Sequence, residues 1–196
     1  MTIYYFVRHG STNDSGKRIT GYIPGVELNN EGRQQARRIA EYFASITLTA
    51  IYSSPLERAI ETAEQVGYKK SITIQPISFL KEINFGCYQG RGEDLRGDTL
   101  WETFLTKPAK TRFPEGESVA EAQLRVIEGL TELSRKHPEN DEVLCVAHCE
   151  ILRLAIAYAL RMPVDEYMRI TIDTGSISRI RYTETEQRVE FLNHKP

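Results

Sequence analysis

The segment Arg8-His9-Gly10 has the residue types of an anion-binding catalytic site, and it stands where a short apolar run ends. That run, Ile3–Val7, is rich in β-branched and aromatic residues, which predicts a buried strand. Ligands of open α/β sheets bind in the crevice beyond the carboxyl ends of the strands. An arginine and a histidine at such an end therefore indicate a site for a small anion.

Two further junctions in the chain supply the same kinds of side chain. A strand predicted to end at Ser53-Ser54 is followed by Arg58 in the first turn of a helix, and a strand over Val143–Ala147 is followed by His148. Helix N-termini present unpaired backbone N–H groups and a partial positive charge, both of which suit phosphate. Guanidinium groups add planar pairs of donors for phosphate oxygens. The junctions together predict a phosphate site that contains imidazole groups.

The imidazole groups of such a site can carry out phosphoryl transfer. A neutral imidazole is a competent nucleophile toward phosphorus, and a second one can stabilise the charge on the transferring oxygens. The leaving oxygen also needs a proton donor, and Glu82 follows another predicted strand. Burial raises the pKa of a carboxyl at such a position, so that it can act as an acid. We therefore expect a bell-shaped pH profile with its maximum at mildly acidic to neutral pH.

Each of these residues also has a structural interpretation when it is taken alone. His148 could be a core histidine, Arg58 a surface cation and Glu82 a surface carboxylate. Their occurrence at successive strand exits is what favours the catalytic interpretation. His137 and His194, in contrast, are expected to be solvated and to have no catalytic role.

A thiolate mechanism is the alternative that Cys149 raises. His148-Cys149 followed by Arg153 superficially resembles the signature of cysteine phosphatases, in which a longer loop between Cys and Arg cradles the phosphate. Here the intervening residues favour a helix and include no glycine. The sequence therefore favours His9 as the nucleophile, and we expect Cys149→Ser to keep most of the activity that His9→Ala abolishes.

Alternating strand-like and helix-like runs must position these side chains. Short apolar runs predict strands at Ile3–Val7, Leu48–Ser53, Ile72–Phe79, Val143–Ala147, Arg169–Asp173, Ser176–Tyr182 and Arg188–Leu192. Helical spacing of apolar residues predicts helices over Glu31–Ala44, from Ser54 as N-cap onward, over Ser118–Arg135 with Leu124 among the apolar positions, and over about Glu150–Leu160. This alternation predicts an α/β fold with a largely parallel sheet covered on both faces.

The segment 86–117 differs from the rest of the chain, because it is rich in Gly, Pro and charged residues. We expect it to form a partly helical insert, or lid, over the site. Its aromatic residues Tyr88, Trp101 and Phe104 could line a specificity pocket or pack the insert onto the core. The length of 196 residues fits one domain, so residues 1–196 are expected to form a single domain with this lid.

The composition argues against several other classes of function. A net charge of −2 gives no general attraction to nucleic acid or to an anionic membrane, so a local cation cluster must bind the anion. The three cysteines show no metal-ligand spacing, and we expect neither a metal nor another cofactor. No run approaches the roughly 20 apolar residues of a membrane helix. An odd number of cysteines and the lack of a signal peptide predict a cytoplasmic protein.

The motifs, taken in order, resemble those of the histidine phosphatase superfamily, also called the phosphoglycerate mutase-like family. The matching segments are Arg8-His9-Gly10-Ser11-Thr12, Leu28 to Ala36, Tyr52 to Ala63, Leu80 to Gly90, Gly116-Glu117-Ser118 and Val146-Ala147-His148. The resemblance covers most of the chain. It implies a three-layer α/β/α sandwich with a mostly parallel central sheet.

The resemblance also implies the roles of the site residues. His9 would be the phosphorylated nucleophile. Glu82 would donate the proton to the leaving group and would afterwards act as the base that activates water. Arg8, Arg58 and His148 would bind the phosphate, and no metal would take part.

Two positions depart from the family pattern. The asparagine that the family carries in the loop after its first Arg stands as Ser15 here, and the loop is shortened. Asn13 and Gly21 are therefore assigned to substrate binding in this loop. Cys149 stands where a glycine commonly follows the second histidine, so its side chain could narrow the pocket or expose a thiol.

The favoured function is hydrolysis of a small phosphorylated metabolite through a phosphohistidine on His9. One alternative is a phosphoglycerate mutase, but mutases carry a longer basic insert with adjacent arginines, whereas the cations of segment 86–117 are offset by acidic residues. The other alternative is a non-catalytic protein that binds a phosphorylated ligand. Sugar phosphates, phosphoglycerates, α-ribazole phosphate and phosphopeptides all stay open as substrates. A homodimer is possible through a sheet edge near the C-terminus.

Overall fold

The computed structural model describes residues 1–137 and 139–196, whose strands form one six-stranded sheet in the order β3-β2-β4-β1-β5-β6. The strands are β1 (Thr2–Arg8), β2 (Ala50–Ser53), β3 (Ile74–Pro76), β4 (Glu142–Ala147), β5 (Ile177–Tyr182) and β6 (Gln187–His194). The first four run parallel to one another, whereas β5 and β6 are antiparallel to their neighbours. The predicted α/β fold with a mostly parallel sheet is confirmed.

Helices cover both faces of this sheet. They are α1 (Asn30–Tyr42), α2 (Glu57–Lys70), α3 (Thr99–Thr106), α4 (Val119–Lys136) and α5 (Cys149–Ala159). Successive side chains of β1 point to opposite faces. Tyr4 and Phe6 pack in one cluster with residues of α4 and α5, while Tyr5 and Val7 pack in another with residues of α1 and α2. Two cores of this kind make the three layers that the sequence predicts.

The register of the central strands places the carboxyl ends of β1, β2 and β4 at the same level of the sheet. Arg8 at the end of β1 lies opposite Ala147 at the end of β4, and Ser53 at the end of β2 lies opposite Val146. The helices α2 and α5 begin shortly after these ends. The carboxyl edge of the sheet therefore collects the segments that carry the predicted site residues.

The strand predicted over Arg169–Asp173 is wrong. Arg169 ends a 3₁₀ segment, and the residues after it pair with no strand in the described part of the chain, although Ile170 and Ile172 are buried. Their carbonyls instead accept hydrogen bonds from guanidinium groups, Ile170 from Arg153 at 2.8 Å and Ile172 from Arg8 at 2.6 Å. Alternating burial resembles a strand in the sequence, but these backbone acceptors serve side chains near the site.

Three other local predictions need correction. The strand expected over Ile72–Phe79 is only Ile74–Pro76, because it ends at a proline and a 3₁₀ turn follows. Ser54 is not the N-cap of α2, since Leu56 occupies that position. Leu124 lies on the outer face of α4 and is 56% exposed, so the apolar stripe of that helix is narrower than predicted.

The lid segment 86–117 is partly helical, as the sequence predicts. It contains α3 together with 3₁₀ turns at Gly86–Tyr88, Glu93–Leu95 and Pro108–Lys110. The side chain of Asp98 caps α3 by accepting from the Trp101 N–H at 2.9 Å. Within the described ranges, no helix combines the length and the hydropathy that crossing a bilayer requires.

Candidate active site

His9 and His148 lie side by side at the carboxyl edge of the sheet. Each is the first residue after its strand, and the pairing of β1 with β4 sets the two strand ends at the same level. Their ring centroids are 5.1 Å apart. The predicted junctions thus meet, because neighbouring parallel strands deliver their next residues to one point.

His9 is held as a neutral imidazole, and its second ring nitrogen makes no hydrogen bond to the described residues. Its Nδ1 lies 2.7 Å from the carbonyl of Gly10, which can only accept, so Nδ1 carries the proton and donates it. Nε2 therefore keeps its lone pair. Burial, followed by the charges of Arg58 and Arg8, holds the pKa of His9 well below its usual range. A neutral ring of this tautomer can act as a nucleophile at Nε2.

His148 has the opposite hydrogen-bonding arrangement. Its Nε2 lies 2.7 Å from Ser54 Oγ, and that oxygen also accepts the N–H of Leu56 at 3.3 Å. The Ser54 hydroxyl can donate its proton to Nε2, and in that tautomer of His148 the ring proton lies on Nδ1. Nδ1 is buried and has no partner among the described residues. The pKa of His148 is also lowered, mainly by burial and then by Arg58, so the ring offers a neutral N–H donor.

Arg58 is a fully enclosed cation, 1% exposed, in the first turn of α2. Its Nη2 donates to the carbonyl of Gly21 at 2.8 Å. Its Nε and Nη1 are buried and find no acceptor in the described part of the chain. Burial lowers the pKa of Arg58, although the nearby Glu82 and Glu57 raise it. A buried guanidinium with two unused donors is costly unless an anion pairs with it.

Arg8 adds a second guanidinium from the end of β1. Its Nη1 donates to the Ile172 carbonyl, and its buried Nε has no acceptor within residues 1–137 and 139–196. Together with the unpaired donors of Arg58 and His148, it makes a set of buried N–H groups around His9. Such a set can bind the oxygens of a tetrahedral anion such as a phosphoryl group.

Glu82 is a buried carboxyl, 8% exposed, beside these cations. Its oxygens accept the backbone N–H groups of Ile83 at 3.0 Å and Glu150 at 3.4 Å. Burial, and after it the charge of Glu150, raises the pKa of Glu82 to about 7, against the smaller lowering effect of Arg58. A carboxyl that titrates near neutral pH can both donate and accept a proton in catalysis.

The two residues assigned to substrate binding from the loop after β1 have different surroundings. Gly21 adopts a φ of +45° and meets the site through its carbonyl, which holds Arg58. Asn13 is exposed, and among the described residues no hydrogen bond ties it to the other site residues. Ser15 turns back onto its own loop, where its Oγ accepts the Thr12 N–H at 2.9 Å.

Several residues of the site were missed from the sequence. Ser54 was assigned to a helix cap but contacts His148. Thr62 bridges the site, since its hydroxyl accepts the Gly10 N–H at 3.1 Å and donates to the Arg58 carbonyl at 2.7 Å. Glu150 sits next to Glu82 at the start of α5. Thr62 lies one helical turn after Arg58, and that spacing is the only sequence signal that could have identified it.

His137 was expected to be solvated and is buried instead. Its Nε2 lies 3.0 Å from Tyr52 Oη and its Nδ1 lies 3.0 Å from Asp141 Oδ2. Both ring nitrogens are thus used at the end of α4, away from His9. His194 is exposed, as predicted.

The surroundings of Cys149 bear on the thiolate alternative. Cys149 is the first residue of α5, and burial raises the pKa of its thiol to about 12. Its Sγ lies 3.7 Å from the Ile172 carbonyl. A thiol with a raised pKa is a poor nucleophile at neutral pH, because the thiolate is the reactive form.

The aromatic residues of the lid pack onto the core, which is one of the two predicted roles. Phe104 and Tyr88 are buried in the core, and the Tyr88 hydroxyl donates to Asp98 at 2.8 Å. Trp101 is partly buried, packs against Phe104, and lines a surface cavity of about 760 Å³ together with Lys17. The lid therefore packs onto the core mainly through Phe104 and Tyr88.

A family model and a named relative each match nearly the whole chain. A family model described as the histidine phosphatase superfamily (branch 1) matches residues 4–195. A protein of Enterobacter sp. (strain 638) named probable phosphoglycerate mutase GpmB is 32% identical over 189 residues, covering 94% of this chain and 87% of that protein.

Two solved structures share the fold over nearly their whole length. Bacillus stearothermophilus YhfR superposes with a TM-score of 0.90 at 28% identity, covering 97% of this chain and 96% of that one. A phosphoserine phosphatase mutant from Entamoeba histolytica in complex with phosphoserine gives a TM-score of 0.88 at 29% identity, covering 100% of this chain and 98% of that one. With the family model matching almost every residue, the chain belongs to the histidine phosphatase superfamily, branch 1.

Proposed function

We propose that this protein is a phosphomonoesterase that hydrolyses a small phosphorylated metabolite through a phosphohistidine on His9. The observation that carries the proposal is the set of buried nitrogens of Arg8, Arg58 and His148 around a neutral imidazole, which find no hydrogen-bond partner among the described residues. Each donor would otherwise be desolvated without compensation. The related Entamoeba phosphatase bound to phosphoserine supports a substrate of this class.

The first half-reaction transfers the phosphoryl group to His9. The Nε2 lone pair attacks phosphorus, the bond from phosphorus to the ester oxygen breaks, and the protonated Glu82 gives its proton to that oxygen. Arg8, Arg58 and the Nδ1–H of His148 bind the equatorial phosphoryl oxygens as charge builds on them. Throughout this step the Gly10 carbonyl accepts a hydrogen bond from the Nδ1–H of His9. This hydrogen bond stabilises the positive charge on the phosphorylated ring.

The second half-reaction releases phosphate. A water molecule attacks the phosphohistidine, the Glu82 carboxylate takes one of its protons, and the bond from phosphorus to Nε2 breaks. Glu82 is then protonated again and His9 is neutral, so the enzyme is ready for another cycle. In both half-reactions the guanidinium groups supply the positive charge that binds the phosphoryl oxygens. No metal ion or other cofactor is proposed.

The roles of Gly21 and Asn13 complete the proposed substrate site. Gly21 acts through its carbonyl, which orients the Arg58 fork for the phosphoryl oxygens. Asn13 stands on the exposed part of the same loop and would contact substrate at the rim. Substitution of Asn13 should therefore have a smaller effect than substitution of Arg8 or Arg58.

The second candidate function is that of a phosphoglycerate mutase, the activity for which the Enterobacter relative is named. A mutase must keep the phosphoryl group on histidine and return it to a second hydroxyl, so it must exclude water. Segment 86–117 is short and its charges are mixed, which favours hydrolysis. Comparable rates of phosphoglycerate mutation and of phosphate release would contradict this choice.

The proposal extends to the whole chain. We infer that residues 1–196 act as one domain whose lid, 86–117, covers the site, and that the protein works in the cytoplasm. The three cysteines Cys87, Cys145 and Cys149 are free thiols, which supports a reducing compartment. The outer edge of β6 could pair two copies in a homodimer, which sedimentation would reveal.

A panel of phosphomonoesters tests the proposal. Wild-type protein and His9→Ala are compared for phosphate release from phosphoserine, phosphoglycerates, sugar phosphates and p-nitrophenyl phosphate. Turnover of at least one substrate by the wild type, with a loss of roughly 10³-fold or more in His9→Ala, is expected for the nucleophile. Cys149→Ser should retain most of the activity. Activity that survives in His9→Ala and disappears in Cys149→Ser would move the nucleophile to the thiol.

A further inference from the structure

Arg125 in α4 binds the backbone that carries Glu82, although its guanidinium is not among the phosphate donors. Its Nη1 donates to the carbonyls of Phe79 at 2.6 Å and Lys81 at 3.1 Å, and its Nη2 donates to the carbonyl of Glu82 at 3.2 Å. No backbone N–H donates to these carbonyls among the described contacts. One side chain thus satisfies three acceptors of a segment whose regular structure among the described residues is limited to the 3₁₀ turn Ser78–Leu80.

The remaining N–H groups of Arg125 bind Glu117 at the far end of the lid. Nη2 donates to Glu117 Oε1 at 2.7 Å and Nε to Oε2 at 3.3 Å. Glu117 Oε1 also accepts the Asn84 N–H at 2.8 Å, and the Glu117 N–H donates to the Asn84 carbonyl at 2.9 Å. All five guanidinium N–H groups are therefore used, and both flanks of Glu82 are attached to the pair Arg125–Glu117.

We propose that Arg125, held by Glu117, is a positioning residue that fixes the carboxyl of Glu82 at the leaving-group oxygen. The inference rests on the proposed function, in which Glu82 is the proton donor. Both partners are mostly enclosed, with side chains 24% and 17% exposed, so the pair can hold one geometry. A general acid works only within hydrogen-bond reach of the atom it protonates, and a misplacement of about 1 Å can cost roughly 100-fold in rate.

Substrates whose leaving groups differ in basicity distinguish a loss of positioning of the acid from a general loss of active-site structure. An alkyl phosphate such as phosphoserine needs a proton on its leaving oxygen, whereas p-nitrophenolate departs without one. In Arg125→Lys the charge stays, but one ammonium cannot reach three carbonyls and a carboxylate. We expect kcat/KM to fall roughly 10- to 100-fold on phosphoserine and less than about threefold on p-nitrophenyl phosphate. Because kcat/KM covers only the steps up to phosphorylation of His9, later hydrolysis does not blur the comparison.

Matched variants complete the experiment. Arg135→Lys is the control, because Arg135 lies in the same helix and pairs on the surface with Glu184. Its kcat/KM on phosphoserine and on p-nitrophenyl phosphate should both match those of the wild type. Glu117→Gln removes the charge that holds Arg125 while an amide oxygen remains for the Asn84 N–H, so it should show the same leaving-group dependence more weakly. It also serves if Arg125→Lys fails to fold.

Glu82→Gln separates failure of this inference from failure of the proposed function. It should lose far more activity on phosphoserine than on p-nitrophenyl phosphate. Equal losses on the two substrates in Arg125→Lys and Glu117→Gln, with a selective loss in Glu82→Gln, would overturn the positioning role alone. Equal losses in Glu82→Gln itself would overturn the assignment of the acid, and with it the proposed function as written.

Discussion

At the scale of single residues, burial and, after it, the charge of Glu150 set the pH at which the proposed acid works. The Glu150 carboxylate, whose Oε1 accepts from Arg153 Nη1 at 2.9 Å, raises the pKa of Glu82 by repulsion in addition to the effect of burial. Glu150→Gln keeps an acceptor for Arg153 but removes the negative charge. The pKa of Glu82 should then fall, and with it the fraction of enzyme that holds the proton.

The measurement is the pH profile of kcat/KM on an alkyl phosphate. In the wild type the alkaline limb should lie near pH 7, where Glu82 loses its proton. The acidic limb should lie well below pH 6.5, because the pKa of His9 is lowered. Glu150→Gln should move the alkaline limb to lower pH and leave the acidic limb in place. An unchanged alkaline limb would show that Glu150 does not tune the acid.

The same carboxyl has a stability consequence. Its folded-state pKa of about 7 exceeds the ordinary value of 4.5, so the folded protein binds more protons than the unfolded chain between these values. Stability due to this group is therefore fully present below pH 4.5 and is lost as the pH rises toward 7. Glu82→Gln cannot ionise, so its free energy of unfolding relative to the wild type should rise by roughly 1–3 kcal/mol between about pH 5 and pH 8. Urea unfolding of both proteins at the two pH values checks this, and a difference independent of pH would contradict it.

At the scale of elements, the turn that follows Glu82 is fixed by a glycine. Gly86 has a φ of +51°, and an added Cβ would overlap the Pro114 carbonyl and lie 2.6 Å from the Gly116 nitrogen. Gly97 in the same lid has a φ of +76°, and among the described residues other than its chain neighbours no atom lies within 4 Å of the added Cβ. Gly97→Ala should cost about 1 kcal/mol from backbone strain alone, and Gly86→Ala about 2–4 kcal/mol because backbone atoms must also move. Equal losses in the free energy of unfolding would mean that the lid base is not packed this way.

The site could be predicted from the sequence where a strand end defines it. Arg8-His9 and His148 follow strongly apolar runs, and parallel strands bring such ends together by construction. Ser54 was misassigned because a Ser-Pro pair before a helix is also a cap signal, and only the packing of β2 against β4 shows which partner it takes. Glu150, Thr62 and Arg125 act through contacts with residues distant in the chain or through backbone carbonyls, which leave no pattern in one sequence.

At the scale of the whole molecule, the proposed phosphate binding must be local because the net charge is −2. Inorganic phosphate should therefore stabilise the protein through the buried donors, by about 2.7 kcal/mol when its concentration is roughly 100 times Kd. Arg58→Ala should remove this stabilisation. Arg188→Ala, which alters a side chain 68% exposed on β6, should keep it. Thermal unfolding with increasing phosphate is the measurement, and an equal rise of Tm in both variants would point to non-specific binding.

The overall architecture was predictable because periodicity and burial agree along most of the chain. Short, β-branched runs such as Val143–Ala147 favour a fully buried strand, and the helices between such strands cover both faces of the sheet. The strand prediction for residues 169–173 was wrong for a physical reason. Carbonyls of this segment accept hydrogen bonds from Arg8 and Arg153 rather than from a neighbouring strand. The geometry at the base of the lid was not predicted, because it depends on Glu117, whose partner Asn84 lies 33 residues away in the chain.

The most direct test is to trap the enzyme during turnover. Wild-type protein is mixed with saturating substrate, quenched within milliseconds under alkaline denaturing conditions that preserve phosphohistidine, and digested for mass spectrometry. The account predicts one phosphoryl group on the peptide that contains His9, formed at a rate no slower than turnover and absent from His9→Ala. A phosphoryl group on Cys149, or turnover with no phosphorylated protein at any time, would contradict it.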